Sequence, residues 1–243
     1  MKFASIIINH YAMNGFRSET LRKCLDSLKD KVKYPYELIV IDNGGNEEDS
    51  EYLRKNKDIN IYIRNATNLS FGIGRNQGIA LSHGEYVVIM DNDVLSIEDW
   101  LTESVTVLDE HKEMKIYATP FRYPTHGFKK YHKGEIVYSG GVCKLNMRAG
   151  SNCFIIRRKD LMEIGLFEPH RIAGSIWTNN AVRAGYLAAC LQGELAFDLG
   201  LRKGYNLREA SALKINIQNA GELYFNRDEF KERNPDKDYY ESI

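Results

Sequence analysis

Asp91 and Asp93, separated by Asn92, stand where the apolar run Tyr86-Val87-Val88-Ile89-Met90 stops. That run is unbroken, rich in β-branched residues and opened by His83-Gly84, the pattern of a strand buried on both faces of a parallel sheet. Side chains i and i+2 of an extended chain share a side, so the two carboxylates can converge on one hard divalent cation, with Asn92 turned elsewhere. Mg2+ or Mn2+ bridging to a diphosphate is the natural occupant. The competing reading is that these acids cap a following helix that starts near Ser96, with Glu98 and Asp99 in its first turn.

The elements that position this pair repeat its pattern. Residues 3–8 form a β-branched run that empties into Asn9-His10-Tyr11, and residues 36–41 form a second that ends at Asp42-Asn43-Gly44-Gly45. Between them Leu21, Cys24, Leu25 and Leu28 recur at helical spacing. Residues 47–57 read as a short charged helix, 59–63 as a third strand, and a further helix starts within 72–75 and runs to Leu81. Strand and helix thus alternate through the first part of the chain, the signature of a parallel sheet with right-handed crossovers. Ligands of such sheets lie beyond the carboxyl ends of the strands. Asn9, His10, Tyr11, Asp42, Asn43, Asp91, Asn92 and Asp93 are therefore expected around one crevice.

Gly72, Gly74 and Gly78 do not make a dinucleotide fingerprint, because Gln77 stands where the third glycine belongs and the stretch follows the third strand. A dehydrogenase is disfavoured. The stretch can instead bring backbone close to a ligand at a helix start, with Arg75 as a cation towards phosphate.

Downstream, 96–111 reads as helix, 116–119 as strand, and 120–148 as a long excursion with a few hairpin strands and many aromatic and basic residues. A strand over 152–156, a short helix closed by Gly165, a helix over 178–184 and a strand over 186–191 follow. Trp177 is read equally as a sugar-stacking platform and as a core residue. Lys+Arg and Asp+Glu both total 33, which gives no argument for a nucleic-acid partner. Cys24, Cys143, Cys153 and Cys190 are scattered, as expected of buried thiols in a reducing compartment. No run approaches the ~20 apolar residues of a membrane span, so a cytoplasmic protein is expected, compatible with peripheral membrane association.

Together these pieces resemble the family 2 glycosyltransferases of the GT-A fold. The resemblance rests on Ile7-Ile8-Asn9-His10-Tyr11, Val40-Ile41-Asp42-Asn43-Gly44, Gly74-Arg75-Asn76-Gln77-Gly78-Ile79, Gly84-Glu85-Tyr86 and Asp91-Asn92-Asp93. It continues through Gly150-Ser151-Asn152-Cys153-Phe154-Ile155-Ile156-Arg157-Arg158 and Gly165-Leu166-Phe167-Glu168. It implies an α/β fold, a Rossmann-like mixed and mostly parallel sheet flanked by helices. The implied parts are a nucleotide-sugar-binding half over 1–95, an acceptor-binding half over 96–222 and a charged tail over 223–243.

The implied activity is metal-dependent, inverting hexosyl transfer from a nucleotide-sugar, a UDP-sugar above all, to a glycan, lipid-linked or protein acceptor. Asp42 would bind base or ribose, Asn9, His10, Tyr11 and Asn43 would line the nucleoside pocket, and Arg75 and Asn92 would face the donor. Asp91 and Asp93 would hold the ribose and metal region of the donor, with Mn2+ or Mg2+ as the metal. Relatives carry an acidic pair, the source of the general base, before the helix that ends in a Gly-Tyr like Gly185-Tyr186. Here the stretch reads Ile172-Ala173-Gly174-Ser175-Ile176-Trp177-Thr178-Asn179-Asn180, without a carboxylate. Glu168 and His170 are the nearest replacements in sequence, with Glu194 and Asp198 more remote. Two other readings stand beside this one: a catalytically silent relative that binds a nucleotide-sugar or a partner, and a sugar-phosphate nucleotidyltransferase. The latter wants a glycine-rich basic loop after the first strand, which Ala12-Met13-Asn14-Gly15 does not supply.

Overall fold

The structure, a computed structural model, describes residues 2–12, 15–120, 132–147, 151–169, 173–192 and 195–198, the backbone alone at Gly15, Phe16, Phe197 and Asp198. The first half alternates as its periodicity dictates: β1 Ala4–His10, α1 Gly15–Lys31, β2 Tyr36–Asp42, α2 Glu47–Lys55, β3 Ile61–Arg64, α3 Phe71–Leu81 and β4 Tyr86–Met90. It continues as β5 Val94–Ser96, α4 Trp100–Glu110, β6 Ile116–Thr119, β7 His132–Tyr138 and β8 Gly141–Asn146. The rest is β9 Cys153–Arg157, α5 Arg158–Ile164, α6 Ala173–Arg183, β10 Leu187–Cys190 and β11 Ala196–Asp198.

Nine strands form one sheet in the order β3-β2-β1-β4-β9-β6-β10-β8-β7, and β11 pairs with β5 in a small second one. β1 to β4, β6, β7 and β10 run one way, and β8 and β9 run the other, so the sheet is mixed and mostly parallel. Winding proceeds outward from β1 to β3, and α3 then returns the chain to β4 on the other side of β1. The reversal makes a switch point at the tips of β1 and β4, the place where open α/β sheets bind ligands.

Alternation along the buried strands feeds two cores. Ile6, Ile8, Val40 and Val88 pack with Leu21, Leu25 and Leu28 of α1 and with Leu101 and Leu108 of α4. Ile7, Ile39, Val87 and Ile89 pack on the opposite face with Ile79 of α3, Leu161 of α5 and Trp177 of α6. Each such side chain, fully buried, contributes roughly 1.5–3 kcal/mol.

The approach of α3 to β1 is set by Gly78, where an added Cβ would lie 2.3 Å from Ile7 Cγ2. Alanine ordinarily stabilises a helix interior by about 1 kcal/mol over glycine. Here Ile7 is fully buried and β-branched, so overpacking of about 1–3 kcal/mol outweighs that gain. Gly78→Ala is therefore expected to lower the melting temperature; a rise would mean that α3 and β1 are farther apart than this.

Several expected boundaries move. The segment after Asp93 is not helical from Ser96: Val94–Ser96 is a strand, and α4 begins at Trp100 with Asp99 accepting from the Thr102 N–H as N-cap. The helix expected over 178–184 starts earlier, at Ala173. The hairpin strands foreseen within 120–148 are β7 and β8. The sheet is continuous across the boundary placed at residue 95, since β4 pairs with β9. His170, Glu194 and the tail expected over 223–243 lie outside the described residues.

Candidate active site

Asp91-Asn92-Asp93 is a turn, closed by the Val94 N–H donating to the Asp91 carbonyl at 3.4 Å. This corrects the expectation of an extended i, i+2 arrangement. The carboxylates nevertheless act on a common neighbour: the buried Cys24 thiol has its pKa raised first by burial and then by the charges of Asp93 and Asp91. Asn92 turns inward. Its amide lies 2.7 Å from His10 Nδ1, so the bond spans the switch point between β1 and β4.

His10 is fully buried, and its Nε2 lies 3.0 Å from Asp49 Oδ2. That oxygen also accepts from Ser18 Oγ at 2.6 Å and from Asn46 Nδ2 at 2.9 Å. Burial alone would raise the Asp49 pKa, but these hydrogen bonds and the interaction with His10 hold it below the ordinary carboxylate value. With both ring nitrogens engaged, His10 serves the inside of the wall instead of presenting itself to a ligand.

Asp42 is fully buried as well. It accepts from Ser50 Oγ, from Tyr62 OH at 3.0 Å and from the Gly45 N–H at 3.0 Å, with Arg64 Nε at 3.5 Å. Asn43 ties the β2 tip to the loop before α3: its amide donates to Asn68 Oδ1 and the Ser70 carbonyl, and its oxygen accepts from Asn65 and the Leu69 N–H. These bonds hold Ser70, the N-cap of α3, at φ 95°, a conformation costly for a residue with a Cβ. Asn9 reaches α3 through the Phe71 carbonyl at 3.4 Å, and Tyr11 is partly exposed. Asp42, Asn43 and His10, expected at a ligand surface, are each tied into the tips of β1 and β2 by these bonds.

Arg75 is 1% exposed. Its Nη2 donates to Asp91 Oδ1 at 2.7 Å and to the Ser151 carbonyl at 3.1 Å. The guanidinium carbon lies 3.8 Å from the Phe71 ring centroid and 5.1 Å from that of Phe167, within cation–π range. Two buried atoms nearby, Arg75 Nη1 and Asn9 Oδ1, have no hydrogen-bond partner; the first packs beside Gly174 of α6 and the second beside Gly74 of α3. Unpaired buried polar atoms are costly.

Asp91 and Asp93 fit a divalent cation by type, since both offer hard oxygens on one turn. Among the described residues no group of three or more His, Cys, Asp or Glu side chains could hold a metal ion. Trp177 is not at this surface: it stacks on Phe154 at 4.5 Å, donates from Nε1 to the Gly165 carbonyl and is 1% exposed. Glu168 is exposed, in the loop that Asn76 of α3 holds through both backbone groups of Phe167. The Asp49 and Ser50 supports were not anticipated; they lie 39 and 8 residues from their partners, and no spacing rule connects them.

A groove of about 640 Å³ lies elsewhere, lined by Lys2, His83, Glu85, Arg157, Arg158 and others. Its cations are largely matched, Lys2 with Glu85 and Asp109, Arg157 with Asp160, and His83 beside Glu37.

The family described as Glycosyl transferase family 2 matches residues 5–173. Glycosyltransferase AglE of Haloferax volcanii is 28% identical over 199 residues, covering 76% of this chain and 63% of its own. The chain thus spans less than two thirds of that relative. Among solved structures, S. aureus TarS in complex with UDP-GlcNAc superposes with a TM-score of 0.59 at 19% identity, over 81% of this chain and 57% of TarS. Mannosyltransferase PcManGT from Pyrobaculum calidifontis, in complex with GDP-Man and Mn2+, gives 0.62 at 17% identity, over 83% and 58%. With the sheet order, the switch point and a match over most of its length, the chain belongs to glycosyl transferase family 2 and has the GT-A fold.

Proposed function

We propose that the protein transfers a hexosyl group from a nucleotide-sugar, a UDP-sugar above all, to a glycan, lipid-linked or protein acceptor, with inversion. The observation that carries this reading is the switch point at the tips of β1 and β4, where the Asp91–Asp93 turn is held by the buried Arg75 and by His10. The tips of β1 and β2, with Asn9, Tyr11, Asp42 and Asn43, form the nucleoside wall. Asp91 and Asp93 hold Mn2+ or Mg2+, which supplies Lewis-acid neutralisation of the departing diphosphate. Arg75 fixes Asp91 in place and offers Nη1 towards phosphate. Glu168 and His170 are the candidate bases for the acceptor hydroxyl. Four buried free thiols support a reducing, cytoplasmic setting, and no helix of the described residues is long and apolar enough to cross a membrane.

The silent-binder reading draws on Gly174. A Cβ there would lie 2.1 Å from Ser151 Oγ and 3.2 Å from Arg75 Nη1, so a side chain at this position could enter only if Ser151 moved. A thermal-shift screen of UDP and GDP with and without Mn2+ tests donor binding. At a hundred times Kd a ligand stabilises by about 2.7 kcal/mol, a rise of roughly 5–10 °C for a chain of this size. No shift with either nucleotide would refute the donor reading. A Mn2+-dependent shift without turnover across donors and acceptors would favour the silent binder.

A further inference from the structure

The chain Asn92–His10–Asp49 links the turn at Asp91–Asp93 to α2. Its polarity follows from chemistry. Asp49 Oδ2, ionised and already accepting from Ser18 and Asn46, can only accept from His10, so the imidazole proton sits on Nε2. In the neutral ring Nδ1 is then a lone-pair acceptor, and the Asn92 amide, at 2.7 Å, presents its N–H to it. The amide oxygen of Asn92 is thereby turned away from His10. All three side chains are buried, so each bond is strong and each missing partner costly.

We propose that Asp49, acting through His10, is a positioning residue for the Asp91–Asp93 turn. It fixes the His10 tautomer, the tautomer fixes the Asn92 amide, and that bond holds the turn in the conformation that binds a cation with a nucleoside diphosphate. Without it the turn loses the Asn92–His10 bond to β1. This rests on the donor reading above, and two measurements separate the two.

In the metal-free protein, imidazole 15N shifts are expected to show His10 as the Nε2–H tautomer. A proton on Nδ1 overturns the proposal whether or not any nucleotide binds. In calorimetric titrations with UDP and Mn2+, Asp49→Ala and Asn92→Ala are each expected to weaken binding roughly 10- to 100-fold, the usual effect of losing an outer support of a metal site. Because Asp49 acts only through Asn92, the double variant is expected to bind within about threefold of Asn92→Ala alone. Additive losses, or an Asp49→Ala protein that binds like the parent, overturn the proposal. If the parent itself shows no Mn2+-dependent UDP binding, the donor reading falls and the positioning role falls with it. If Asp49→Ala does not fold, the tautomer measurement on the parent still decides.

Discussion

Asp91→Ala is expected to abolish Mn2+-dependent UDP binding within the accessible range, a loss of at least about 100-fold, and to lower the melting temperature as well. The first effect follows from removing one of two hard carboxylates on the turn, because charge neutralisation by a bound cation contributes several kcal/mol and each 1.4 kcal/mol is tenfold. The second follows from Arg75. Its guanidinium is 1% exposed and its Nη1 already lacks a partner, so losing Asp91 leaves a buried cation held by one carbonyl and two rings. Breaking a fully buried pair costs about 3–5 kcal/mol. The Asp91 side chain is 25% exposed, which screens the pair and brings the expectation down to about 2–3 kcal/mol, or roughly 5–10 °C. Asp91→Asn separates the effects, because its amide oxygen still accepts from Arg75 while the charge is gone. It is expected to keep most of the stability and still lose the metal dependence. Parental Mn2+ dependence in Asp91→Asn would remove Asp91 from the cation site.

The strands of the first half were legible because burial on both faces forces unbroken β-branched runs, and their abrupt polar ends marked the switch point. The turn at 91–94 was not, because its closing bond is local geometry that composition does not encode. β5 exists through pairing with residues 196–198, about a hundred positions away, and that partner overrides the capping pattern Ser96-Ile97-Glu98-Asp99 that suggested an earlier helix start. The antiparallel β9 between β4 and β6 has the same composition as its parallel neighbours, so no residue announces its direction. Arg75 shows the limit at the site itself. Its position near the start of α3 suggested a cation aimed at phosphate, yet its principal bond is to Asp91, and the Phe71 and Phe167 rings beside it come from two parts of the chain. Helix α6 starts at Ala173 despite the weak helix formers Gly174 and Ser175, because Trp177 anchors that turn in the aromatic core.

Arg75→Met is expected to produce changes of opposite sign in two binding measurements. Burial pushes the guanidinium pKa below its ordinary value, and Asp91 opposes that shift. Methionine fits between the Phe71 and Phe167 rings with favourable sulfur–aromatic contact, and it removes a buried donor that has no partner, a relief of about 1–3 kcal/mol. Against this stands the loss of the charged bond to Asp91 and of the cation–π contacts, so the net cost in stability is expected to be only about 1–3 kcal/mol. The variant should fold. Asp91 then no longer shares its charge with Arg75, so Mn2+ in the absence of nucleotide is expected to bind more tightly, about tenfold by a screened Coulomb argument. UDP in the presence of Mn2+ is expected to bind more weakly, because the diphosphate loses the cation that Nη1 would offer. Partial unfolding cannot raise one affinity while it lowers the other. Titrations of Mn2+ alone and of UDP at saturating Mn2+ therefore distinguish a guanidinium that holds the Asp91 carboxylate ready for a cation-bound diphosphate from one that only braces α3 against the loop at Ser151. Parallel losses in both would leave Arg75 with the bracing role alone.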